Sequence, residues 1–211
     1  MLRAVLFDLG GVVLTSPFEE FARYEASAGL PSGTVRRINS TDPDTNAWAR
    51  LERNEVSLDE FVDAFESEGA ALGLPVDGWK VLACLRGQVR PEMRAAVERC
   101  SEVFTTGLLT NNFVSWSDAR GDDAPDADLA AVLACFDAVV ESSVVGVRKP
   151  EPRFYELALE RLGVTAQESV FLDDLGVNLK PARAMGMRTI KVTDPAVALA
   201  ELSAVTGLDL V

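Results

Sequence analysis

The stretch that most constrains the fold is residues 2–13, a nearly continuous apolar run that contains one carboxylate, Asp8, followed by Gly10 and Gly11. A run that is apolar on both faces is typical of a central parallel strand covered by helices on either side. In open α/β sheets, ligands bind beyond the carboxyl ends of such strands. The sequence therefore places Asp8 where chemistry is expected, although an aspartate and two glycines can also form an ordinary turn.

Four more apolar segments are predicted strands, and helical segments separate most of them. The strands are residues 103–110, 136–140, 169–173 and 188–192. The helices are residues 91–100, about 129–133, 152–162 and 178–185. A mixed run of Ser, Asp, Gly and Pro over residues 117–128 is predicted to be a solvated loop. This alternation favours right-handed βαβ crossovers and an α/β fold with a three-layer, Rossmann-like parallel sheet.

Residues 16–88 interrupt this alternation, because they contain helical patterns only. A helix is predicted after Ser57, which opens a capping box with Glu60. Another is predicted to begin at Asp42 and Pro43, because proline is tolerated in the first turn of a helix. The aromatic residues of this segment are expected to form a core, although they could also line a substrate pocket. The sequence therefore predicts a core of residues 1–15 and 89–211 with an inserted helical cap of residues 16–88.

The composition excludes several classes of function. The net charge is −13, which opposes binding to nucleic acids or anionic membranes. No apolar run approaches the roughly 18–20 residues that span a bilayer, and no secretion signal is recognisable, so a soluble cytoplasmic protein is expected. The chain has no histidine, so it can contain neither a histidine-dependent catalytic triad nor a His-ligated zinc site. Any metal must be bound by oxygen ligands, which favours Mg²⁺.

Polar residues follow the predicted strands at the points where those strands end. They are Asp8, Thr110, Asn111, Lys149, Asp173 and Asp174. In composition this set is a phosphate-transfer site: a carboxylate can attack phosphorus, oxygen ligands can bind Mg²⁺, and a hydroxyl, an amide and an ammonium can hold the phosphate. Two adjacent carboxylates at the end of a buried strand are unfavourable without a nearby cation.

Four short segments, residues 8–12, 108–111, 149–150 and 171–174, resemble in order the motifs of the haloacid dehalogenase-like hydrolase superfamily. Residues 146–152 and 171–183 are most similar to the subgroup typified by the amino-terminal phosphatase domain of mammalian soluble epoxide hydrolase. The resemblance covers essentially the whole chain. It implies a Rossmann-like core, a helical cap inserted after the first motif, and hydrolysis of phosphate esters through an aspartyl-phosphate.

The resemblance also implies roles for individual residues. Asp8 would be the nucleophile, Thr110 and Asn111 would hold the phosphate, and Lys149 would balance the charge on Asp8 and the phosphoryl group. Mg²⁺ would be bound by Asp8, the backbone carbonyl of Gly10 and the carboxylate of Asp174. Asp173 and Asn178 would not bind the ion themselves but would support its ligands from the surrounding shell.

The sequence departs from the family pattern at Gly10, where hydrolytic phosphatases usually carry a second aspartate that acts as general acid and base. Losing such a group typically costs about 10²–10⁴ in rate. The leading hypothesis is a Mg²⁺-dependent phosphatase of a small phosphorylated metabolite, with an apolar one favoured by the aromatic cap. The alternatives are a catalytically weakened binding or regulatory protein and a haloacid dehalogenase, against which Asp173 and Asp174 argue. Nothing in the sequence predicts an oligomeric state.

Overall fold

This computed structural model describes residues 1–112 and 127–211. In these residues, five parallel strands form one sheet in the order β3-β2-β1-β4-β5. The strands are β1 (Ala4–Phe7), β2 (Thr105–Thr110), β3 (Ala138–Glu141), β4 (Ser169–Asp173) and β5 (Arg188–Lys191). The α/β class and the parallel sheet predicted from the sequence are confirmed, and β1 lies at the centre.

Eleven helices accompany the sheet in the described residues. Five of them lie between β1 and residue 88: α1 (Pro17–Ser27), α2 (Thr34–Asn39), α3 (Ala47–Glu52), α4 (Leu58–Ala71) and α5 (Gly78–Ala83). The other six are α6 (Pro91–Ser101), α7 (Ala127–Leu133), α8 (Ser142–Val145), α9 (Pro152–Leu162), α10 (Gly176–Ala184) and α11 (Pro195–Thr206). A short 3₁₀ helix, Ala166–Glu168, leads into β4.

Both faces of the sheet are buried, as the continuous apolar pattern of its strands predicts. Successive strand residues point to opposite faces, so Val5 and Phe7 join one hydrophobic cluster with residues of α6 and α11. Leu6 joins a second cluster with residues of α9 and α10. All three side chains are fully buried. The result is a three-layer arrangement of helices, sheet and helices.

The strand register brings the predicted site residues to one edge of the sheet. Phe7, the last residue of β1, pairs with Leu108 on one side and with Leu172 on the other. Asp8 and Asp173 directly follow Phe7 and Leu172, and Thr110 ends β2. In a parallel sheet these carboxyl ends share an edge, so Asp8, Thr110 and Asp173 lie at the same edge of the sheet.

Directly after β1 the chain makes a wide turn over Leu9–Val13, closed by a 2.8 Å hydrogen bond from the Leu14 N–H to the Leu9 carbonyl. Gly11 has φ +77°, a conformation that side-chain-bearing residues rarely adopt. Gly10 has φ −68° and ψ 126°, which any residue can adopt. Only the second of the two glycines is therefore required by the backbone.

Helices α1–α5 have a hydrophobic cluster of their own. Phe61 and Phe65 are fully buried in it and stack with ring centroids 5.3 Å apart, and Trp48 packs edge-on against both. The predicted aromatic core is therefore present, but Phe18 and Trp79 are 42% and 50% exposed and are not part of it. The division into a core and a cap remains a prediction.

The helix predicted at Ser57 is confirmed, since Ser57 and Glu60 form the capping box at the start of α4. The prediction of a helix start at Asp42 and Pro43 is wrong. Asp42 has φ +48° and begins a turn, and the next helix starts at Ala47 with Asn46 as its N-cap. The Asn46 side chain accepts a 2.9 Å hydrogen bond from the Ala49 N–H, which gives the helix its cap four residues later than predicted.

Two chain segments link β1 and α6 to the helices between them. The Thr15 N–H donates to the Gln88 carbonyl at 2.9 Å, the Arg90 N–H donates to the Val13 carbonyl at 2.9 Å, and Leu14 and Val89 form an antiparallel bridge. Most of the loop predicted over residues 117–128 lies outside the described residues, and its last two residues open α7. In the part of the chain that the structure describes, no helix is long and apolar enough to cross a membrane.

Candidate active site

The site is organised around the Lys149 ammonium, which is 1% exposed and joins two carboxylates. Its Nζ atom lies 2.7 Å from Asp8 Oδ1 and 2.8 Å from Asp173 Oδ2. It also lies 5.5 Å from the centre of the Phe171 ring, where a cation is attracted by the ring face. Burial alone would lower the pKa of Lys149, but Asp173 and Asp8 raise it above its usual value. Lys149 therefore stays charged.

Asp8 is held through one of its two oxygens. Oδ1 accepts a 2.6 Å hydrogen bond from the Leu9 N–H as well as the contact with Lys149. Among the described residues, no group donates a hydrogen bond to Oδ2, which leaves this oxygen available to a substrate or an ion. Burial raises the pKa of Asp8 well above its usual value, Lys149 opposes that shift, and Asp173 adds to it.

Asp173 is saturated by hydrogen bonds. Its Oδ1 accepts from the Leu175 N–H at 2.8 Å, and the Asn178 amide donates to both carboxylate oxygens at 3.1 Å. Tyr155, which is fully buried, fixes Asn178 in turn by donating its hydroxyl to the Asn178 carbonyl at 2.7 Å. Asp173 and Asn178 therefore hold Lys149 rather than projecting free ligand atoms.

Asp174 reaches across to the turn after β1. A side chain at Gly11 would overlap the Asp174 carboxylate, so this close approach requires glycine there. Burial and the neighbouring Asp173 raise the pKa of Asp174 to about 6. One carboxylate oxygen each from Asp8, Asp173 and Asp174 lie within 4.8 Å of one another. A single ammonium cannot neutralise three carboxylates, so the site suits an additional cation with hard oxygen ligands.

The two residues predicted to hold a phosphate behave differently. Thr110 is buried at the end of β2 on the same edge as Asp8. Asn111 braces the backbone of Lys149: its Oδ1 accepts from the Lys149 N–H at 2.9 Å and its Nδ2 donates to the Lys149 carbonyl at 3.0 Å. The Asn111 side chain is thus engaged in positioning Lys149, and the predicted roles of both residues in phosphate binding remain predictions.

The surroundings of Gly10 are open. A Cβ atom built at Gly10 would meet no atom within 4 Å, in contrast to Gly11. Because the Gly10 backbone is compatible with any side chain, neither space nor conformation explains the absence of an aspartate at this position.

A buried glutamate near the site has no counterpart in the sequence prediction. Glu52, the last residue of α3, pairs with Arg148 and accepts a 3.2 Å hydrogen bond from Asn111 Nδ2. Arg148 directly precedes Lys149 within residues 146–152, which the sequence analysis already compared with the family. Its position could therefore have indicated that it lies near the site. Glu52 gave none, because a lone glutamate on a short helix usually faces solvent.

A family model described as haloacid dehalogenase-like hydrolase matches residues 2–186. The mouse protein named acyl-CoA dehydrogenase family member 10 is 36% identical over 215 residues, and pig bifunctional epoxide hydrolase 2 is 35% identical over 222 residues. Both matches cover 99% of this chain, but the chain spans only 19% and 40% of those two relatives. A sesquiterpene phosphatase of Aspergillus oryzae is 29% identical over 217 residues, covering 97% of both chains.

Solved structures share the fold at lower identity. A protein from Porphyromonas gingivalis described as a predicted HAD-like family hydrolase has a TM-score of 0.65 at 20% identity, covering 96% of this chain and 98% of its own. A HAD family enzyme from Bacteroides thetaiotaomicron, solved with magnesium and inorganic phosphate, has a TM-score of 0.59 at 20% identity, covering 90% and 94%. L-2-haloacid dehalogenase from Xanthobacter autotrophicus has a TM-score of 0.59 at 21% identity, covering 99% and 85%.

Proposed function

The chain belongs to the haloacid dehalogenase-like hydrolase family, and from this premise we propose that it is a Mg²⁺-dependent phosphatase of a small phosphorylated metabolite. The observation that carries the proposal is the convergence of Asp8, Asp173 and Asp174 within 4.8 Å around one buried ammonium. This excess of negative charge is favourable only when a cation is present, and phosphoryl transfer is chemistry that such a cation assists.

In the proposed reaction Asp8 is the nucleophile. Its free oxygen, Oδ2, forms a bond to phosphorus, the bond from phosphorus to the ester oxygen breaks, and the leaving alcohol takes a proton from solvent. Water then attacks the phosphorus of the aspartyl-phosphate, which releases inorganic phosphate and restores the carboxylate. Lys149 holds Oδ1 throughout and compensates the charge of the phosphoryl group.

The residues present fit a magnesium ion. The Asp174 carboxylate, an oxygen of Asp8 and the Gly10 carbonyl would hold it, because Asp173 is already occupied by Lys149, Asn178 and a backbone N–H. When bound, Mg²⁺ would neutralise charge on the phosphoryl oxygens. Asp174 is only half-buried, so an ion can reach its carboxylate from solvent.

The proposed substrate carries an apolar group on its phosphate. The sesquiterpene phosphatase relative, whose match covers 97% of both chains, supports this choice. Gly10 favours a second candidate, a weakened enzyme that binds phosphorylated ligands without turning them over, because the proton donor for an alkyl leaving group is missing. Carbon–halogen hydrolysis is disfavoured, because it makes no use of the acidic pair at the end of β4.

The test is a set of phosphate monoesters with and without Mg²⁺, containing para-nitrophenyl phosphate and alkyl phosphates of increasing chain length. We expect Mg²⁺-dependent hydrolysis that Asp8→Asn abolishes. Asp128→Asn, an exposed carboxylate paired with Arg94, is the control that should retain activity. Hydrolysis that survives Asp8→Asn or does not need Mg²⁺ would refute the proposal, and Mg²⁺-dependent phosphate binding without turnover would favour the binding protein.

A further inference from the structure

Glu52 connects the α1–α5 helices to the segment that carries Lys149. Its side chain is almost fully buried at the end of α3. Oε1 accepts a 3.0 Å hydrogen bond from the indole N–H of Trp48, which lies on the same helix. Oε2 faces the other way, lying 2.5 Å from Arg148 Nε and accepting from Asn111 Nδ2 at 3.2 Å. One carboxylate therefore contacts two residues that flank the catalytic lysine in space.

The Asn111 amide transmits this contact to the Lys149 backbone. It holds both the N–H and the carbonyl of Lys149, at 2.9 and 3.0 Å. Its Nδ2 group has two hydrogens, and Glu52 accepts one while the Lys149 carbonyl accepts the other. Glu52 thereby fixes the orientation of the amide that fixes Lys149.

Arg148 forms the second connection. Its Nη1 donates to the Pro43 carbonyl at 2.9 Å, and its Nε faces Glu52 in an ion pair without hydrogen-bond geometry. Burial raises the pKa of Glu52, while Arg148 and Lys149 oppose the shift. Removing either partner would leave a buried charge without compensation, which is costly.

A neighbouring ion pair can be compared with Glu52–Arg148. In it the basic residue follows α3 and the acidic residue lies in the segment that carries Lys149. Arg53, the next residue after Glu52, donates Nε and Nη2 to Glu151 Oε1 at 2.9 and 2.7 Å. The Glu151 side chain is 35% exposed, against 10% for Glu52. The Arg53–Glu151 pair joins the same two parts of the chain. Glu151 Oε1 also accepts a long, 3.4 Å hydrogen bond from the Arg148 N–H, but the pair does not contact the Asn111 amide.

We propose that Glu52 is a positioning residue, which orients the Asn111 amide and Arg148 so that Lys149 is held in register with Asp8 only while α3 is docked against the Lys149 segment. This inference rests on the proposed function for its catalytic consequence. Its structural content, the constraint on Lys149, is independent of that function. The Arg53–Glu151 pair contributes docking without positioning.

The experiment compares E52Q with R53Q in the full chain with Mg²⁺ present. Hydrogen exchange at the Lys149 N–H, which is bonded to Asn111, reports the constraint directly. We expect E52Q to lower protection of this amide by about tenfold or more, and R53Q to change it by less than about threefold at a similar loss of thermal stability. For para-nitrophenyl phosphate we expect kcat to fall by about 10- to 100-fold in E52Q, with little change in KM, and to be nearly unchanged in R53Q.

Equal effects of the two variants on Lys149 protection would overturn the inference and leave Glu52 a docking residue. A selective loss of protection in E52Q, in a protein whose wild type hydrolyses no phosphate ester, would support the positioning role while refuting the proposed function. If E52Q does not fold because Arg148 is left unpaired, the E52Q/R148Q double variant removes both charges. It should show the same selective loss of protection, and normal protection of Lys149 in it would overturn the inference.

Discussion

Gly10 and Gly11, which follow β1, differ in backbone conformation and in the space around them. Gly11 adopts φ +77° and is approached by the Asp174 carboxylate, so both its backbone and its surroundings exclude a side chain. Gly10 has an ordinary backbone conformation and no atom within 4 Å of where a Cβ would be. Glycine is therefore structurally required at position 11, whereas position 10 could carry a side chain.

Gly10→Asp should therefore increase activity. No atom obstructs a Cβ at this position, and a carboxyl group there could supply the proton that an alkyl leaving group needs. We expect turnover of alkyl phosphates to rise by about 10²-fold or more, with a smaller gain for para-nitrophenyl phosphate, whose leaving group needs no proton. Steady-state rates on both substrates, for wild type and variant, provide the measurement. A wild type that hydrolyses alkyl phosphates rapidly and gains nothing from the substitution would show that another group is the acid and base.

Gly11→Ala should be harmful for two reasons, backbone strain at positive φ and overlap with Asp174. Strain of this kind costs about 1–3 kcal/mol, and displacement of Asp174 should weaken Mg²⁺ binding as well. Urea unfolding and calorimetry with Mg²⁺ would measure the two effects. Gly10→Ala is the matched control, which should leave both quantities almost unchanged; equal losses in the two variants would contradict the assignment.

Asp174 makes the stability of the metal-free protein depend on pH, and the sign of this dependence follows from the pKa shift. Its pKa is about 6 in the folded protein against an ordinary value of 3.8. Between these values the folded state holds a proton that the unfolded state has lost, so this group's contribution to the free energy of unfolding falls as pH rises. Without Mg²⁺, Asp174→Asn should be more stable than wild type at about pH 7.5, and the difference should shrink at about pH 5.

Thermal unfolding of both proteins at the two pH values tests this expectation. Added Mg²⁺ should stabilise wild type at the higher pH and have little effect on the variant, because a ligand of the native state stabilises it in proportion to its binding. A stability difference that is independent of pH, or equal stabilisation of both proteins by Mg²⁺, would show that Asp174 is not the titrating metal ligand.

At the scale of single elements, helix α4 depends on its capping box. The Ser57 hydroxyl accepts from the Glu60 N–H at 3.3 Å, and the Glu60 carboxylate accepts from the Ser57 N–H at 2.8 Å. Ser57→Ala should lower the free energy of unfolding by about 1 kcal/mol, measured by urea denaturation. Ser67→Ala, at an exposed position within the same helix, should change it by less than half as much. A larger loss at Ser67 would mean that the cap contributes little.

Elements were predictable where one local signal dominated. The capping box at Ser57 and the apolar strands identified α4 and the sheet correctly. The start of α3 was misplaced, because Asp42 and Pro43 also favour turns, and the Asn46 side chain competes successfully as the cap. The close approach of Asp174 to Gly11 and the pairing of Glu52 with Arg148 join residues far apart in sequence, so no local pattern could indicate them.

At the scale of the whole molecule, the separate hydrophobic cluster of α1–α5 predicts that these helices can lose stability while the sheet stays folded. Phe61→Ala removes a fully buried ring from that cluster and should cost about 3–5 kcal/mol locally. Native-state hydrogen exchange should then show lost protection in residues 17–83 with the amides of β1 and β4 still protected. Leu199→Ala, in the cluster beneath the sheet, should lower protection of the strands instead. Uniform loss of protection in both variants would show that the chain opens as one unit.

The central position of β1 also has a consequence for biosynthesis. Ala4 pairs with Thr105 on one side and Ser169 on the other. The first strand in chain order can therefore pair only after about 100 further residues have been synthesised. The contacts within α1–α5 are shorter in range and can form on the ribosome before either partner has emerged. We therefore expect β1 to stay an unpaired apolar strand, which chaperones can bind, until β2 has left the ribosome, and Asp8 to meet Lys149, Asp173 and Asp174 only after β4 has followed.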